Sequence, residues 1–320
     1  MASYLVFFQT DVAAAANIST WPIIPTMALG SFVAGSTFLG GGAVAFPVMT
    51  KLLAIDPELA KQFSLAIQCV GMSSASMLII AFGRALPYRA ILIAIAFAAF
   101  GSVISLTWLD KLFNSADLKI GFSLFILCFL LVSYLAKSSR FDHLPTAFDR
   151  TPGLTMWVLL AAGSFLGGCV SGLLGSGADL FSFCVLFLVW RVPFKKAIQC
   201  SVIVMAGCSL IAFSFLHFTE RLISTNTLSY NSETDLQALW LLAAPVVLIG
   251  APAGVLFCRL IAEKTLARFI FIIAGIELLS TVVLVEIVPH KIPIYFAVAG
   301  FVILFLLAIH RYGLKVTTKD

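Results

Sequence analysis

The sequence predicts an all-α polytopic membrane protein with two inverted-topology repeats, each containing broken, re-entrant half-helices, plus one extra C-terminal helix. Composition, a duplicated glycine break and the distribution of basic residues lead to this prediction. Of the 320 residues, 61% are hydrophobic and only 11% are charged, and the mean hydropathy is +1.08. The core of a water-soluble domain does not need a composition this apolar, so the chain is predicted to lie in a membrane.

A glycine-dense break interrupts apolar sequence twice, at residues 35–42 (GSTFLGGG) and 172–177 (GLLGSG). Each break is followed by about a dozen apolar residues, a charged turn that contains proline, and the pattern Ala-x-Gln-x-Ser. Because glycine costs helix stability, its clustering predicts that the chain stops being helical at membrane depth. Such backbone is tolerated in a bilayer only where protein or a water-filled cavity surrounds it.

Hydropathy windows predict the apolar segments in order along the chain. They cover residues 22–39, 43–55, 62–83, 90–109, 118–136, 153–174, 178–190, 197–218, 236–258, 266–288 and 292–310. Two of them, 43–55 and 178–190, would reach only about 20 Å as helices, whereas the hydrocarbon core is about 30 Å thick. We therefore expect these two to be half-helices that return from a glycine break toward the face their predecessor entered.

The basic residues predict the orientation. If both broken pairs are re-entrant, fourteen of the twenty Lys and Arg residues fall on one face. The positive-inside rule makes that face cytoplasmic, with the N-terminus outside and the C-terminus inside. Equivalent turns of the two halves then lie on opposite faces, which predicts inverted repeats and a substrate site near the bilayer midplane.

The apolar segments and the distribution of basic residues together predict how the chain is divided. The divisions are an extracytoplasmic tail (1–20), repeat 1 (21–137), a cytoplasmic linker (138–152), repeat 2 (153–290), and a last transmembrane helix with a cytoplasmic tail (291–320).

The first twenty residues lack Lys and Arg, so no cleaved signal peptide is expected. The seven cysteines lie in apolar stretches without C-x-x-C, so we expect packing residues and no metal or cofactor. No basic run interleaved with aromatics suggests nucleic acid.

The glycine breaks predict a site for an oxyanion. A helix that begins after Gly42 or Gly177 would direct free N–H groups and a positive dipole end into the membrane interior. Glutamine and serine side chains of the following helices add neutral donors. The candidate substrate-binding residues are Gly40, Gly41, Gly42, Gln62, Ser64, Gly175, Ser176, Gly177, Gln199 and Ser201. The alternative is that the glycines allow close helix packing and the polar side chains only join helices.

The polar residues of the two halves can be aligned in two ways. The Ala-x-Gln-x-Ser pattern pairs Gln62 with Gln199, whereas Ala-Ile-Gln-Cys, at 66–69 and 197–200, pairs Gln68 with Gln199. The distance from Gly177 to the second-half Ala is 20 residues, and the corresponding distances from Gly42 are 18 and 24. This spacing favours Gln62 and leaves Gln68 as the alternative.

Two carboxylates in apolar sequence, Asp179 and Glu277, are candidates for proton coupling, because ionisable groups are costly in a membrane. Asp179 follows the second glycine break, where a bound proton would link its movement to that of the anion. Its alternative role is to cap a short helix from residue 180. Glu277 has the alternative role of bonding a neighbouring helix.

With these features the chain resembles the TauE/SafE family of anion permeases, over residues 22–288. The resemblance rests on the glycines of both breaks and on Pro47. The chain departs from the family pattern where Gln62 and Gln199 replace a glycine and where Asp179 follows Gly177-Ala178. The resemblance implies a bacterial inner-membrane protein that exports sulfite or an organosulfonate such as sulfoacetate. Its partners would be a small anion and the lipid bilayer, and the sequence leaves a homo-oligomer open.

Three function classes remain at this point. A secondary carrier needs two half-helix tips that face one cavity, and an anion channel needs the same parts around a continuous pore. An enzyme needs a nucleophile with a base, or a metal cluster, at membrane depth. The four histidines lie at segment ends or in loops and no H-E-x-x-H or G-x-S-x-G motif occurs, so we expect no enzyme.

Overall fold

The computed structural model describes residues 22–41, 49, 57–82, 86–109, 152–219 and 236–284, together with parts of 120–130 and 293–311. The described chain is helical and contains no strand within those residues. Its main helices are α1 Ile23–Ser36, α2 Pro57–Ala81, α3 Tyr88–Ile104, α4 Leu154–Leu174, α5 Ala178–Leu188, α6 Phe194–Phe218, α7 Leu236–Leu260 and α8 Glu263–Leu284. The tail 1–20, Gly42, most of the half-helix predicted at 43–55 and nearly all of the linker lie outside the described residues.

Five of the described helices are long and apolar enough to cross a membrane, namely α2, α3, α4, α6 and α7. Helix α3 reaches this length because it continues into a π-helical turn, Ser105–Leu109. Many outward-facing side chains are large and apolar, such as Leu92, Leu154 and Leu279. These features confirm the predicted all-α polytopic membrane class.

Local sequence explains where the helices begin and end. Helix α2 begins at Pro57, five residues before the predicted segment, because proline is well suited to the first helical position. Its first turn is closed by an ion pair of 2.7 Å between Lys61 and Glu58. Helix α4 ends at Gly175, whose φ of 79° is the left-handed conformation that commonly terminates helices.

Helix α5 runs back along α4. Glycines of the α4 and α5 region mark this contact in antiparallel order: Gly163 faces Val185, Gly167 faces Phe181, and Gly177 faces Val170. Helix α5 has 11 residues, so at about 1.5 Å per residue it is about 16 Å long, roughly half the hydrocarbon thickness. The short apolar segment predicted at 178–190 is therefore a half-length helix that returns beside its predecessor.

The two halves pack against each other through matching helix pairs. The two pairs are α1 with α7 and α3 with α4, so each pair joins a helix of one half to a helix of the other. Glycines bring the backbones together in both pairs: Gly35 against Ala251, Gly254 against Phe32, Gly168 against Ala98, and Gly101 against Phe165. In the predicted repeat assignment, these two pairs use equivalent positions of the two halves.

Helices α2 and α6 pack against each other and run in opposite directions. Leu65 of α2 clusters with Ala212 and Leu216 of α6, while Cys69, one turn further along α2, lies near Cys208, one turn earlier in α6. In the predicted repeats these two helices hold equivalent positions, and inversion of one repeat relative to the other would give them opposite directions.

Candidate functional site

The second glycine break lies against α2 of the first half. The Gly175 carbonyl accepts a hydrogen bond of 3.1 Å from Ser64 Oγ and one of 2.6 Å from Gln68 Nε2. Gln68 Nε2 also donates to Ser64 Oγ at 2.9 Å. Both side chains are buried. A carbonyl freed by the end of α4 is thus held by two donors from the opposite half.

The first glycine break lies against α5 of the second half. Gly40 has a φ of 71°, and a Cβ built there would stand 2.5 Å from Asp179 Oδ2. The ring of Phe38 stacks on Phe183 of α5, with centroids 4.0 Å apart and planes within 8°. It also meets Phe194, at the start of α6, edge-on at 6.5 Å. Each break therefore contacts helices of the other half.

Asp179 is fully buried at this crossing. Its Oδ1 accepts a hydrogen bond of 3.0 Å from the Leu180 N–H, whereas Oδ2 has no hydrogen-bond partner among the described residues. The N-cap position of α5 is Gly177, so Asp179 stands in the first turn and does not cap a helix that begins at 180. An ionised carboxylate in this position would be costly unless a proton or a partner compensated it.

The beginning of α5 is enclosed by protein. Gly177 has a φ of 139°, a conformation that only glycine adopts readily, and Ala178 is completely buried. Ser176, in the tip between α4 and α5, is buried as well. The first N–H groups of a helix lack intrahelical partners, so this tip brings the positive end of a helix into the interior.

The other predicted donors have partners in their own helices, with one exception. Gln62 Nε2 donates to Glu58 Oε1 at 3.2 Å, and Ser201 Oγ donates to the Ile198 carbonyl at 2.9 Å. Gln199 is buried, and its Oε1 has no hydrogen-bond partner within the described chain. Thus Gln62 and Ser201 are engaged within their own helices, whereas the side-chain oxygen of Gln199 is not engaged by any described residue.

The helix contacts help to decide whether Gln62 or Gln68 is the equivalent of Gln199. Gly71 of α2 packs against Val247 of α7, and Gly207 of α6 packs against Ile95 of α3. These equivalent glycines are separated by 136 residues, which is close to the 137 residues between Gln62 and Gln199 and further from the 131 between Gln68 and Gln199. The packing favours Gln62 as the equivalent of Gln199, although Gln68 is the residue that contacts the second break.

A cavity lies between α1, α2 and α7, beside the first glycine break. It contains about 340 Å³ of empty space, including its open mouth. Its walls are mostly apolar, with serine and glutamine as the polar contributors; they include Met27, Ser31, Gly41, Ser64, Gln68 and Met72. The cavity thus joins the first break to the two side chains that hold the second.

Glu277 has the contacts of a residue that joins helices. Its Oε1 accepts hydrogen bonds from Ser123 Oγ at 2.6 Å and from Thr281 Oγ1 at 3.4 Å. Ser123 and Thr281 are themselves 2.9 Å apart. Because Ser123 lies in the segment predicted at 118–136 and Glu277 in α8, these bonds tie two helices together.

Basic residues beyond the end of α5 lie on the predicted cytoplasmic side. Lys195 Nζ donates to the Arg259 carbonyl at 3.1 Å and to the Ile261 carbonyl, so it caps the end of α7. Arg191 is mostly buried, and this burial lowers the pKa of its guanidinium to about 10, which leaves it charged at neutral pH. In the part of the chain that is described, no cluster of His, Cys, Asp and Glu could hold a metal ion.

Comparisons with known proteins identify the family. The model of the family described as sulfite exporter TauE/SafE matches residues 23–282. No curated protein and no solved structure gave a match. The matched region is more than half of the chain and contains both glycine breaks and all the candidate residues. This chain therefore belongs to the TauE/SafE sulfite exporter family, a family of membrane transporters.

Proposed function

We propose that this protein is a secondary transporter that exports a small oxyanion, such as sulfite, sulfoacetate or a related organosulfonate, across the bacterial inner membrane. The observation that carries the proposal is the crossed contact of the two breaks, in which Gly175 meets Ser64 and Gln68 while Gly40 meets Asp179. Each break contacts the opposite half, so movement of one half relative to the other changes both contacts together.

The two halves act as inverted repeats, with repeat 1 at 21–137 and repeat 2 at 153–290. The antiparallel α2 and α6 and the matching glycine contacts support this arrangement. In transporters built from inverted repeats, discontinuous helices bind the substrate near the midplane, and rocking of one repeat against the other alternates access. The orientation with the N-terminus outside and the C-terminus in the cytoplasm follows from the distribution of basic residues.

The anion binds between the tips, with the N-terminal end of α5 as one attractive group and Gln199 as another. The N–H groups in the first turn of α5, which lack intrahelical partners, supply a fraction of a positive charge, which holds an oxyanion without a fixed cation. Ser64, Ser176 and Ser201 add neutral hydroxyls. Ser64 Oγ donates to the Gly175 carbonyl, so an anion at this position would compete with that carbonyl for the hydroxyl.

Asp179 couples transport to the proton gradient. An ionised Asp179 beside the α5 tip would repel the anion and would be costly in a buried position with Oδ2 unpartnered among the described residues. A proton on this carboxyl removes both costs. Loading of the anion therefore goes together with protonation of Asp179, so the anion and the proton leave together and release of the proton favours release of the anion. The inward proton gradient opposes this step, and the membrane potential, negative inside, together with the outward concentration gradient of the anion drives export.

Uptake of labelled sulfite, sulfoacetate and sulfate into proteoliposomes tests the proposal. We expect saturable uptake that an imposed pH gradient changes and that unlabelled anion on the opposite side accelerates. This acceleration, called counterflow, distinguishes a carrier from a channel. Anion on the opposite side does not speed movement through a channel. Liposomes without protein are the control, and uptake no greater than theirs for every anion would reject the proposal.

A further inference from the structure

The cavity between α1, α2 and α7 contains a polar atom that the proposed anion site does not use. Gln68 is buried and lines this cavity. Both N–H groups of its amide are engaged, one by Ser64 Oγ and one by the Gly175 carbonyl. Its Oε1 is buried and has no hydrogen-bond partner among the described residues. A buried acceptor without a partner costs stability unless something donates to it.

The orientation of the Gln68 amide is fixed by its neighbours. If the amide were rotated by half a turn, Oε1 would face the Gly175 carbonyl oxygen across 2.6 Å, and two acceptors would repel each other. Nitrogen must therefore face Gly175. The oxygen is the part of the amide that is left for a group outside this hydrogen-bond network.

The other polar side chains of the cavity wall direct their donors to carbonyl groups and not into the cavity. Ser31 Oγ donates to the Ala28 carbonyl at 3.2 Å, and Ser64 Oγ donates to the Gly175 carbonyl. With the Gln68 N–H groups also engaged, the described polar side chains of the wall present only acceptors to the cavity. Such a wall would not stabilise an anionic head, but it suits a group that donates a hydrogen bond.

We propose that this cavity binds the hydroxyl-bearing tail of an organic anion, with Gln68 Oε1 as the acceptor, while the anionic head lies at the glycine breaks. The proposal rests on the anion transport proposed above and narrows its substrate to a hydroxyalkanesulfonate. Gly41 of the first break and Ser64, which contacts the second break, both line the cavity, so a tail in the cavity is adjacent to a head between the two breaks. A neutral hydroxyl fits better than an ammonium, because three N–H donors would meet one unpartnered glutamine oxygen and mostly apolar walls.

Two sulfonates with the same number of heavy atoms test this proposal. They are 2-hydroxyethanesulfonate, whose tail ends in a hydroxyl, and 1-propanesulfonate, whose tail ends in a methyl group. An apolar cavity without a role for Gln68 would favour the propyl compound, because its tail loses less on leaving water. If Gln68 accepts a hydrogen bond, competition against labelled hydroxy compound should show that the hydroxyl compound binds roughly threefold to tenfold more tightly.

The Gln68→Met variant keeps the length of the side chain and removes the acceptor. We expect the preference to disappear or to reverse in favour of 1-propanesulfonate, because a structural defect alone would lower uptake of both compounds together. Ser74→Ala is the matched control: Ser74 is also in α2, but its hydroxyl donates to the Gly71 carbonyl at 2.8 Å in the same helix. This control should keep the wild-type preference.

The outcomes separate this inference from the proposed function. Uptake of both sulfonates without preference for the hydroxyl compound, or a preference that Gln68→Met leaves unchanged, would overturn the inference while anion transport stands. The wild-type preference needs no variant, so the test holds even if Gln68→Met fails to fold. Failure of the wild-type protein to move sulfite and both sulfonates would reject anion transport and this inference with it.

Discussion

Replacing Gly175 with alanine should disrupt the contact between the second break and α2. Gly175 has a φ of 79°, and the left-handed conformation costs a residue with a Cβ about 1–2 kcal/mol. The new Cβ would stand 2.7 Å from Ser64 Cβ and 2.9 Å from the Lys61 carbonyl oxygen, so Ser64 must move. Loss of its hydrogen bond to Gly175 adds about 1 kcal/mol.

The total destabilisation is then about 2–3 kcal/mol. For a chain of this size it corresponds to a fall in melting temperature of about 3–4 °C. Thermal unfolding of the detergent-solubilised protein measures this shift, and uptake into proteoliposomes should fall with it because Ser64 and Gln68 lose their positions.

Gly275→Ala is the matched control for this prediction. Gly275 lies in α8, and no atom of the described residues lies within 4 Å of a Cβ built there. Alanine is the better helix former and should raise the free energy of unfolding by about 0.5–1 kcal/mol. This variant should therefore melt at or slightly above the wild-type temperature. If Gly175→Ala melted like Gly275→Ala and transported normally, the tip would not be held by α2 as described.

The remaining predictions concern single side chains of the site and of the helix contacts. Gln199→Met should hold or raise the melting temperature, because it removes a buried amide oxygen that has no partner among the described residues, and it should lower anion uptake, because it removes the amide N–H donors; unchanged uptake would exclude Gln199 from the site. Asp179→Asn keeps an acceptor for the Leu180 N–H and should preserve anion exchange while abolishing the response to a pH gradient, so a normal response would eliminate Asp179 as the coupling group. Glu277→Ala should lower the melting temperature by several degrees through loss of its bonds to Ser123 and Thr281, with a net cost of about 1–3 kcal/mol; a stable variant would show that these bonds do not join the helices.

Most of the fold could be predicted because each helix is an apolar run that ends at glycine, proline or charge. The limits of α4 and α5 follow from Gly175 and Gly177, where the backbone takes angles that other residues avoid. The start of α2 was predicted at residue 62 because hydropathy windows ignore a polar first turn. Pro57 and Glu58 were the signals for the earlier start, since both favour a helix N-terminus.

The partner of the second break could not be predicted from sequence. Hydropathy places Gln62, Ser64 and Gln68 in one helix, but the face that meets Gly175 depends on how α2 packs against α4 and α6. One signal was available: Ser64 and Gln68 are four residues apart and therefore share a face. The alternative alignment of the two halves singles out Gln68 for another reason, because Gln68 matches Gln199 in the repeated tetrapeptide Ala-Ile-Gln-Cys.

Locating a bound anion tests the central claim most directly. An experimental structure with 2-bromoethanesulfonate would mark the ligand by the anomalous scattering of bromine. We predict the sulfonate oxygens within hydrogen-bond distance, about 3 Å, of the Ala178 or Asp179 N–H and of the side chain of Ser64 or Gln199. A ligand bound away from both glycine breaks, with Gly175 still held by Ser64 and Gln68, would contradict the account.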